Sequence, residues 1–488
     1  MAAIRPNVVL INCDDLGYGD LGCYGSARHR TPALDRLASQ GIRFTDFYMA
    51  SPVCSPSRGA MLTGCYPPRV GFGQFEGLPV LFPGQAVGLA PSEVSLARLL
   101  SSAGYRTAAI GKWHCGDQPG FLPTDHGFDH YFGLPYSNDM GRQVSGQFEL
   151  PIEYPPLPLM RDGDVLEQQP DQAGLTERYV AEAVRFLRES AAAGEPCFLY
   201  LAHMYVHLPI YVQERFARSS TNGTYGAAVE AIDWATDVLL HELDALGLAR
   251  DTIVIFTSDN GSLAQHGGSN EPLRGTKGTT WEGGMRVPCI VRWPDAIAPG
   301  RVSSEVATAM DLYPTLAALA GAELPTDRTI DGRDLRALWF DAEAPSPHEA
   351  FFYYQQDDLD AVRSGRWKLR FWDRHRPSAE EIAEALQAGT LDFGALVQRR
   401  PVRELYDLHA DPAETTDVFD EIAATAPHVI ASLDAHAEWA RSSIGDASTG
   451  RVGNDVRQIG RVDEPRPLTV FDPTHPYYAA EYDLPDRG

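Results

Sequence analysis

The chain has 488 residues, too many for one simple hydrophobic core, so two domains are the expectation. Hydrophobic residues make up 44% and charged residues 22%, an ordinary globular composition, and no stretch is long and apolar enough to span a bilayer. A formal net charge of −25, from 66 acidic and 41 basic residues, argues against nucleic acid as a partner and reads first as a solvated acidic surface.

Met1-Ala2-Ala3-Ile4-Arg5-Pro6 runs straight into an apolar segment, without the charged region, long apolar stretch and cleavage site of a signal peptide. A cytoplasmic location is the resulting expectation. Cysteines stand at 13, 23, 54, 65, 115, 197 and 289, an odd number with no CxxC pair. They predict buried reduced thiols rather than a disulfide framework or a zinc knuckle. Three of the 41 basic residues are lysines, Lys112, Lys277 and Lys368, and the other 38 are arginines. Where arginine is the default cation, a lysine marks a place that wants a compact ammonium rather than a planar fork.

An apolar run over 7–11 predicts a buried strand, and Thr31-Pro32 opens a helix that Gly41 closes. A helical pattern over 91–103 ends at Gly104, and a second strand follows over 107–110. The helix predicted over 176–189 carries Tyr179, Val180, Ala183, Phe186 and Leu187 on one stripe. A strand over 197–201 precedes a helix over 227–246 that stops at Gly247, and a fourth strand covers 252–256. This alternation predicts an α/β fold with a mostly parallel sheet flanked by helices. Near Phe340 the pattern changes. A polar linker over 341–347 leads to short antiparallel strands over 349–354, 360–364, 367–371 and 404–408, then a helix near 420–441. Two domains are expected, 1–344 and a smaller α+β unit 345–488, the latter with an insertion at 373–402 and a tail of little pattern after Ser442.

Ligands of open α/β sheets bind beyond the carboxyl ends of the strands. The first strand is followed by Asp14-Asp15, the second by Lys112-Trp113-His114, the third by His203 and His207, and the fourth by Asp259-Asn260. Oxygen ligands of this kind suit Ca²⁺ or Mg²⁺ rather than zinc. Taken singly, an Asp pair reads as a cap and Asp259-Asn260-Gly261 as a turn; convergence of four strand ends favours a site. The strongest local signal is Cys54-Ser55-Pro56-Ser57-Arg58-Gly59-Ala60-Met61-Leu62-Thr63-Gly64, where a loop hands over to a helix. Its first turn offers free N–H groups and a favourable dipole to an anion, and Arg58 adds a fixed cation. The alternative is a capped helix with a buried thiol.

With these residues the chain resembles the type I sulfatases and is most similar to the arylsulfatase A group, which carries C-x-P-S-R followed by L-T-G. The resemblance extends through Asp14-Asp15-Leu16-Gly17-Tyr18-Gly19-Asp20, Gly111-Lys112-Trp113-His114, Gly133-Leu134-Pro135-Tyr136-Ser137-Asn138-Asp139 and His207-Leu208-Pro209. It continues through Thr257-Ser258-Asp259-Asn260-Gly261, the segment Gly275-Thr276-Lys277-Gly278-Thr279-Thr280-Trp281-Glu282-Gly283-Gly284, and, in the C-terminal part, Arg363-Ser364-Gly365-Arg366-Trp367-Lys368 and Leu405-Tyr406-Asp407-Leu408.

The resemblance implies an alkaline-phosphatase-like catalytic domain over 1–344. It implies hydrolysis of aryl or carbohydrate sulfate monoesters by a formylglycine made from Cys54 with the help of a formylglycine-generating enzyme. One Ca²⁺ per chain would be held by Asp14, Asp15, Asp259, Asn260 and residue 54. Arg58 would orient the nucleophile, and Lys112, Lys277, His207 and Ser137 would surround the sulfate. His207 with Lys277 would protonate the leaving oxygen, and His114 would act as base when sulfate is expelled. A homo-oligomer is a family-level expectation; no nucleic acid or membrane partner is expected. Two rival readings stand beside it. One is a phosphonate monoester or phosphodiester hydrolase with the same nucleophile and metal site, the other an unmatured calcium-stabilised binding protein. Tyr136, Asn138, His203 and the Gln355 region are candidates for the pocket rim.

Overall fold

The computed structural model describes residues 5–142, 154–375 and 398–477, with parts of 381–397. Its centre is a ten-stranded sheet in the order Arg301–Ser303, Ile42–Phe44, Cys289–Arg292, Thr252–Ser258, Asn7–Cys13, Cys197–Ala202, Arg106–Gly111, His130–Gly133, Pro158–Arg161 and Asp164–Gln168. The five strands from Thr252–Ser258 to His130–Gly133 are parallel. The flanks are mixed, because Cys289–Arg292 and Pro158–Arg161 enter antiparallel.

The apolar runs lack polar alternation because both faces of the sheet are covered. Val8 and Leu10 enter one core, while Val9, Ile11 and Cys13 enter the other. Ile253 and Ile255 part from Val254 and Phe256 in the same way. The helices Leu175–Ala193 and Gly223–Ala245 cover one face with Tyr179, Ala183, Leu187, Ile232 and Leu239. Among the described residues no helix is long and apolar enough to cross a membrane.

The C-terminal sheet is antiparallel, ordered Phe351–Gln355, Asp358–Ser364, Trp367–His375 and Gln398–Asp407. Its core is shared: Tyr48, Ala60, Met285 and Met310 pack with Phe351, Tyr353, Val362 and Leu369.

Two expected helices are corrected, and two further segments gain structure that the sequence did not show. The helix expected over 91–103 begins only at Leu96, where Ser95 caps it by accepting from Arg98 N at 3.0 Å. The helix expected over 420–441 is two, Phe419–Thr425 and Pro427–Ser443, because Pro427 can occupy a first turn but cannot continue a preceding helix. Residues at both ends of the expected insertion belong to the strands Trp367–His375 and Gln398–Asp407; much of its middle lies outside the described residues. The tail after Ser442 folds back on the larger sheet's side of the molecule. Gly460–Arg461 pairs with Val87–Gly88, and Arg457 N donates to Arg69 O at 2.6 Å. Strands of two residues have no period to read.

Candidate active site

The register of the central strands assembles the site. Cys13 pairs with Ser258, so Asp14 and Asp259 leave neighbouring parallel strands side by side, and Asp259 N donates to Cys13 O at 3.0 Å. On the far side Ala202 pairs with Gly111, which delivers Lys112; Lys112 N donates to Ala202 O at 2.8 Å. Gly111 is required there. Its φ is +107 and an added Cβ would lie 1.8 Å from Ala202 O. Two site residues, Asp15 (φ 62) and His114 (φ 61), also occupy the left-handed region, a conformation that costs energy in a non-glycine residue and clusters at functional sites.

Cys54 opens the helix Cys54–Thr63, which Gly64 ends in left-handed conformation at φ 70. Four residues on, Arg58 lies on the same face and is wholly buried. Its Nε donates to Asp259 Oδ2 at 2.8 Å, one terminal nitrogen to Lys112 O at 2.7 Å, and the other to Asp14 Oδ2 at 3.3 Å. Arg58 thus ties three strand ends to the helix that Cys54 opens.

Lys112 ion-pairs with Asp14 and donates to Ser137 Oγ at 3.2 Å. Lys277 Nζ donates to Asp15 Oδ2 at 2.8 Å, and Asn260 Nδ2 to Asp15 Oδ1 at 2.7 Å. His207, half-buried, turns Nδ1 to the Leu208 carbonyl and Nε2 toward Asp15 Oδ2 at 3.9 Å. Its ring also groups with Asp14 and Asp15, ligand atoms within 4.8 Å of one another, so it stands nearer the carboxylates than its expected place at the sulfate alone suggests. The buried His114 ring makes its contact through Nε2, 2.9 Å from Leu81 O. A carbonyl only accepts, so Nε2 carries the proton and Nδ1 is left as an acceptor.

Burial and opposed charges set the titration of these groups. Burial would raise the Asp14 carboxyl, but Lys112, Arg58, His207 and Lys277 hold it well below the usual carboxylate range. Burial and then Asp14 push Asp259 up to about 7. Burial pushes the Cys54 thiol up to about 11, against the pull of Lys112 and Lys277. Burial, helped by Lys112, drives His114 well below its ordinary value, so the ring is neutral. For Lys277 burial works downward, but Asp15 and Cys54 outweigh it and keep the ammonium charged.

The donor set fits a hard divalent cation. Asp14 Oδ1 and Asn260 Oδ1 are buried without a hydrogen-bond donor, an arrangement that costs free energy unless something positive meets them. All the oxygens come from carboxylates and an amide, the ligand class of Ca²⁺ and Mg²⁺.

All eleven residues singled out by the sequence lie at or beside these strand ends. The rim candidates Tyr136, Asn138, His203 and Gln355 are all buried. Asn138 Nδ2 donates to Gln172 Oε1 at 3.0 Å and Pro209 O at 2.8 Å, which braces the segment after His207 instead of forming a rim. Leu81, whose carbonyl sets the His114 tautomer, was invisible to sequence reading because a backbone acceptor has no residue signature.

A mostly parallel α/β sheet with a buried, cysteine-led helix start, a buried carboxylate cluster and two buried lysines fits a hydrolase of charged esters. A family model described as Sulfatase matches residues 6–322, and one described as the C-terminal region of aryl-sulfatase matches 346–458. Arylsulfatase A of Homo sapiens is 40% identical over 449 residues, covering 88% of this chain and 86% of that protein. Steryl-sulfatase of Mus musculus is 38% identical, covering 91% and 83%. The crystal structure of the PsFucS1 sulfatase from Pseudoalteromonas sp. superposes with a TM-score of 0.76 at 28% identity, covering 89% of this chain and 90% of that one. The chain belongs to the sulfatase family, and its class of activity is that of a sulfuric ester hydrolase.

Proposed function

We propose that this chain hydrolyses aryl or carbohydrate sulfate monoesters, with Cys54, matured to formylglycine by a formylglycine-generating enzyme, as the nucleophile. The observation that carries the reading is the placement of Cys54 at the start of a buried helix whose Arg58 is fixed to Asp14, Asp259 and the Lys112 carbonyl. Bound Ca²⁺, with Asp14, Asp15, Asp259, Asn260 and residue 54 as its ligands, would supply Lewis-acid polarisation and neutralise charge on the ester.

The chain's own groups do the rest. Lys112, Lys277 and Ser137 offer donors to sulfate oxygens in a buried setting, where such contacts are strong. Arg58 is spent on Asp14, Asp259 and a backbone carbonyl, so it orients the helix start rather than chelating the ester. His207 Nε2, facing the Asp15 carboxylate, is the donor for the leaving oxygen. His114, neutral with Nδ1 free to accept, is the base that lets sulfate depart.

We also propose that 1–344 is the catalytic unit and 345–488 a C-terminal unit, supported by the Sulfatase match that ends at 322 and the aryl-sulfatase C-terminal match that begins at 346. A phosphonate or phosphodiester substrate has less support, because the relatives reported above carry sulfatase names. The test is a rate comparison after co-production with a formylglycine-generating enzyme, on an aryl sulfate and an aryl phosphonate, with and without a calcium chelator. Faster, calcium-dependent sulfate cleavage supports the reading; faster phosphonate cleavage overturns the substrate.

A further inference from the structure

Lys368, the third lysine, lies far from the other two in sequence and on the C-terminal sheet, yet it is as buried as they are. Its ammonium donates to Thr280 O at 2.9 Å and Glu282 Oε1 at 3.0 Å, and it ion-pairs with Glu414 Oε1 at 2.8 Å. Two of its N–H groups are thus used in hydrogen bonds inside the protein, and its charge faces both carboxylates. Glu414 returns the contact, because its Oε2 accepts from Glu282 N at 2.8 Å and its carbonyl from Arg274 at 2.8 Å. Thr280 Oγ1 donates to Asp360 Oδ2 at 3.0 Å. The loop from Arg274 to Glu282 is therefore gripped at three points by residues of the C-terminal region. Lys277 stands between those points, with its ammonium on Asp15.

We propose that Lys368 is a positioning residue for the reaction, holding the loop that aims Lys277 at the sulfate site through Thr280, Glu282 and Glu414. The C-terminal sheet is then part of the catalytic apparatus and not only a covering of it. The cluster is dry: the Lys368, Glu282 and Glu414 side chains are all wholly buried. Loss of the ammonium would leave the buried Glu414 carboxylate without its cation at the root of the loop, while Glu282 keeps Arg286 and the Tyr353 hydroxyl, and the loop would shift to relieve Glu414. A planar guanidinium cannot reproduce this compact arrangement of two hydrogen bonds and an ion pair around one nitrogen. The inference rests on the reading of Lys277 as a sulfate-binding lysine.

The experiment is a double-mutant cycle on the matured enzyme, with kcat and KM for an aryl sulfate and Tm for each variant. Lys368→Met should lower kcat/KM by about tenfold in the wild-type background and by less than about twofold in Lys277→Ala, because the first acts through the second. Lys368→Arg should not rescue. An equal loss in both backgrounds, or wild-type kinetics for Lys368→Met, would overturn the proposal. Should Lys368→Met fail to fold, Glu414→Gln, which removes the charge that Lys368 pairs with and keeps the side chain's size, replaces it, with about a threefold loss in the background that retains Lys277 and less than about twofold in Lys277→Ala. Wild-type activity of Lys277→Ala itself would identify the role of Lys277, and not the coupling, as the faulty premise.

Discussion

Lys277 and Asp15 meet at 2.8 Å across 262 positions of sequence. Asp15 is held there in a left-handed backbone conformation, with its second oxygen on Asn260. The contact shows how the site balances itself. Arg58, Lys112 and Lys277 face Asp14, Asp15 and Asp259, so an anionic ester enters a site whose cations are already in place.

Lys112→Arg should lower kcat/KM on an aryl sulfate by on the order of 100-fold with little change in Tm, because a fork cannot serve Asp14, Ser137 and a sulfate oxygen from one point. Near-wild-type kinetics would show that charge alone suffices at this position.

Cys54→Ala should abolish turnover and leave Tm within a few degrees of wild type, since the buried thiol contributes little packing that alanine does not. Residual activity at the wild-type level would remove Cys54 from the mechanism.

Chelation should abolish activity, and added Ca²⁺ should restore it and raise Tm, as expected for a ligand bound only by the folded state. Asn260→Ala removes one of the two unpartnered oxygens and should weaken the calcium-induced Tm shift, read by calorimetry without any assay of turnover. An unchanged shift would place the ion elsewhere.

His114→Ala should release about one equivalent of alcohol per enzyme and then stall, with release of free sulfate slowed by on the order of 100-fold, if the ring acts only in the second half of the reaction. Steady release of both products at the wild-type rate would contradict the assignment.

Burial holds His126 and His203 neutral, each down to about 4, with Arg98 adding to the effect at His126. An unfolded histidine titrates near about 6.5, so below that pH the unfolded chain takes up protons the folded chain refuses. Their contribution to stability is complete above about pH 6.5 and is lost as pH falls toward about 4. Asp117 and Asp233, pushed up to about 6 by burial, act in the opposite sense, so the informative quantity is a difference between proteins. Between about pH 7 and pH 5 the Tm of His126→Gln should fall less than that of wild type. Equal slopes would show that His126 is not buried neutral.

The local pattern of residues determined much of this protein. Apolar runs without alternation marked the parallel strands, since a strand covered on both faces has no polar side to show. Cys54-Ser55-Pro56-Ser57-Arg58 marked the anion-binding helix start, because caps and first turns depend on a few adjacent residues. The scarcity of lysine marked Lys112, Lys277 and Lys368. Only the tertiary structure decided how these pieces meet. The register of Cys13 against Ser258 sets Asp14 beside Asp259, and register is a relation between segments distant in sequence. The left-handed backbone of Asp15 and His114 is imposed by surroundings and opposes their own preference. The grip of Lys368 on Glu282 and Glu414 joins the C-terminal sheet to the loop that carries Lys277, elements that, read singly, gave no sign of touching.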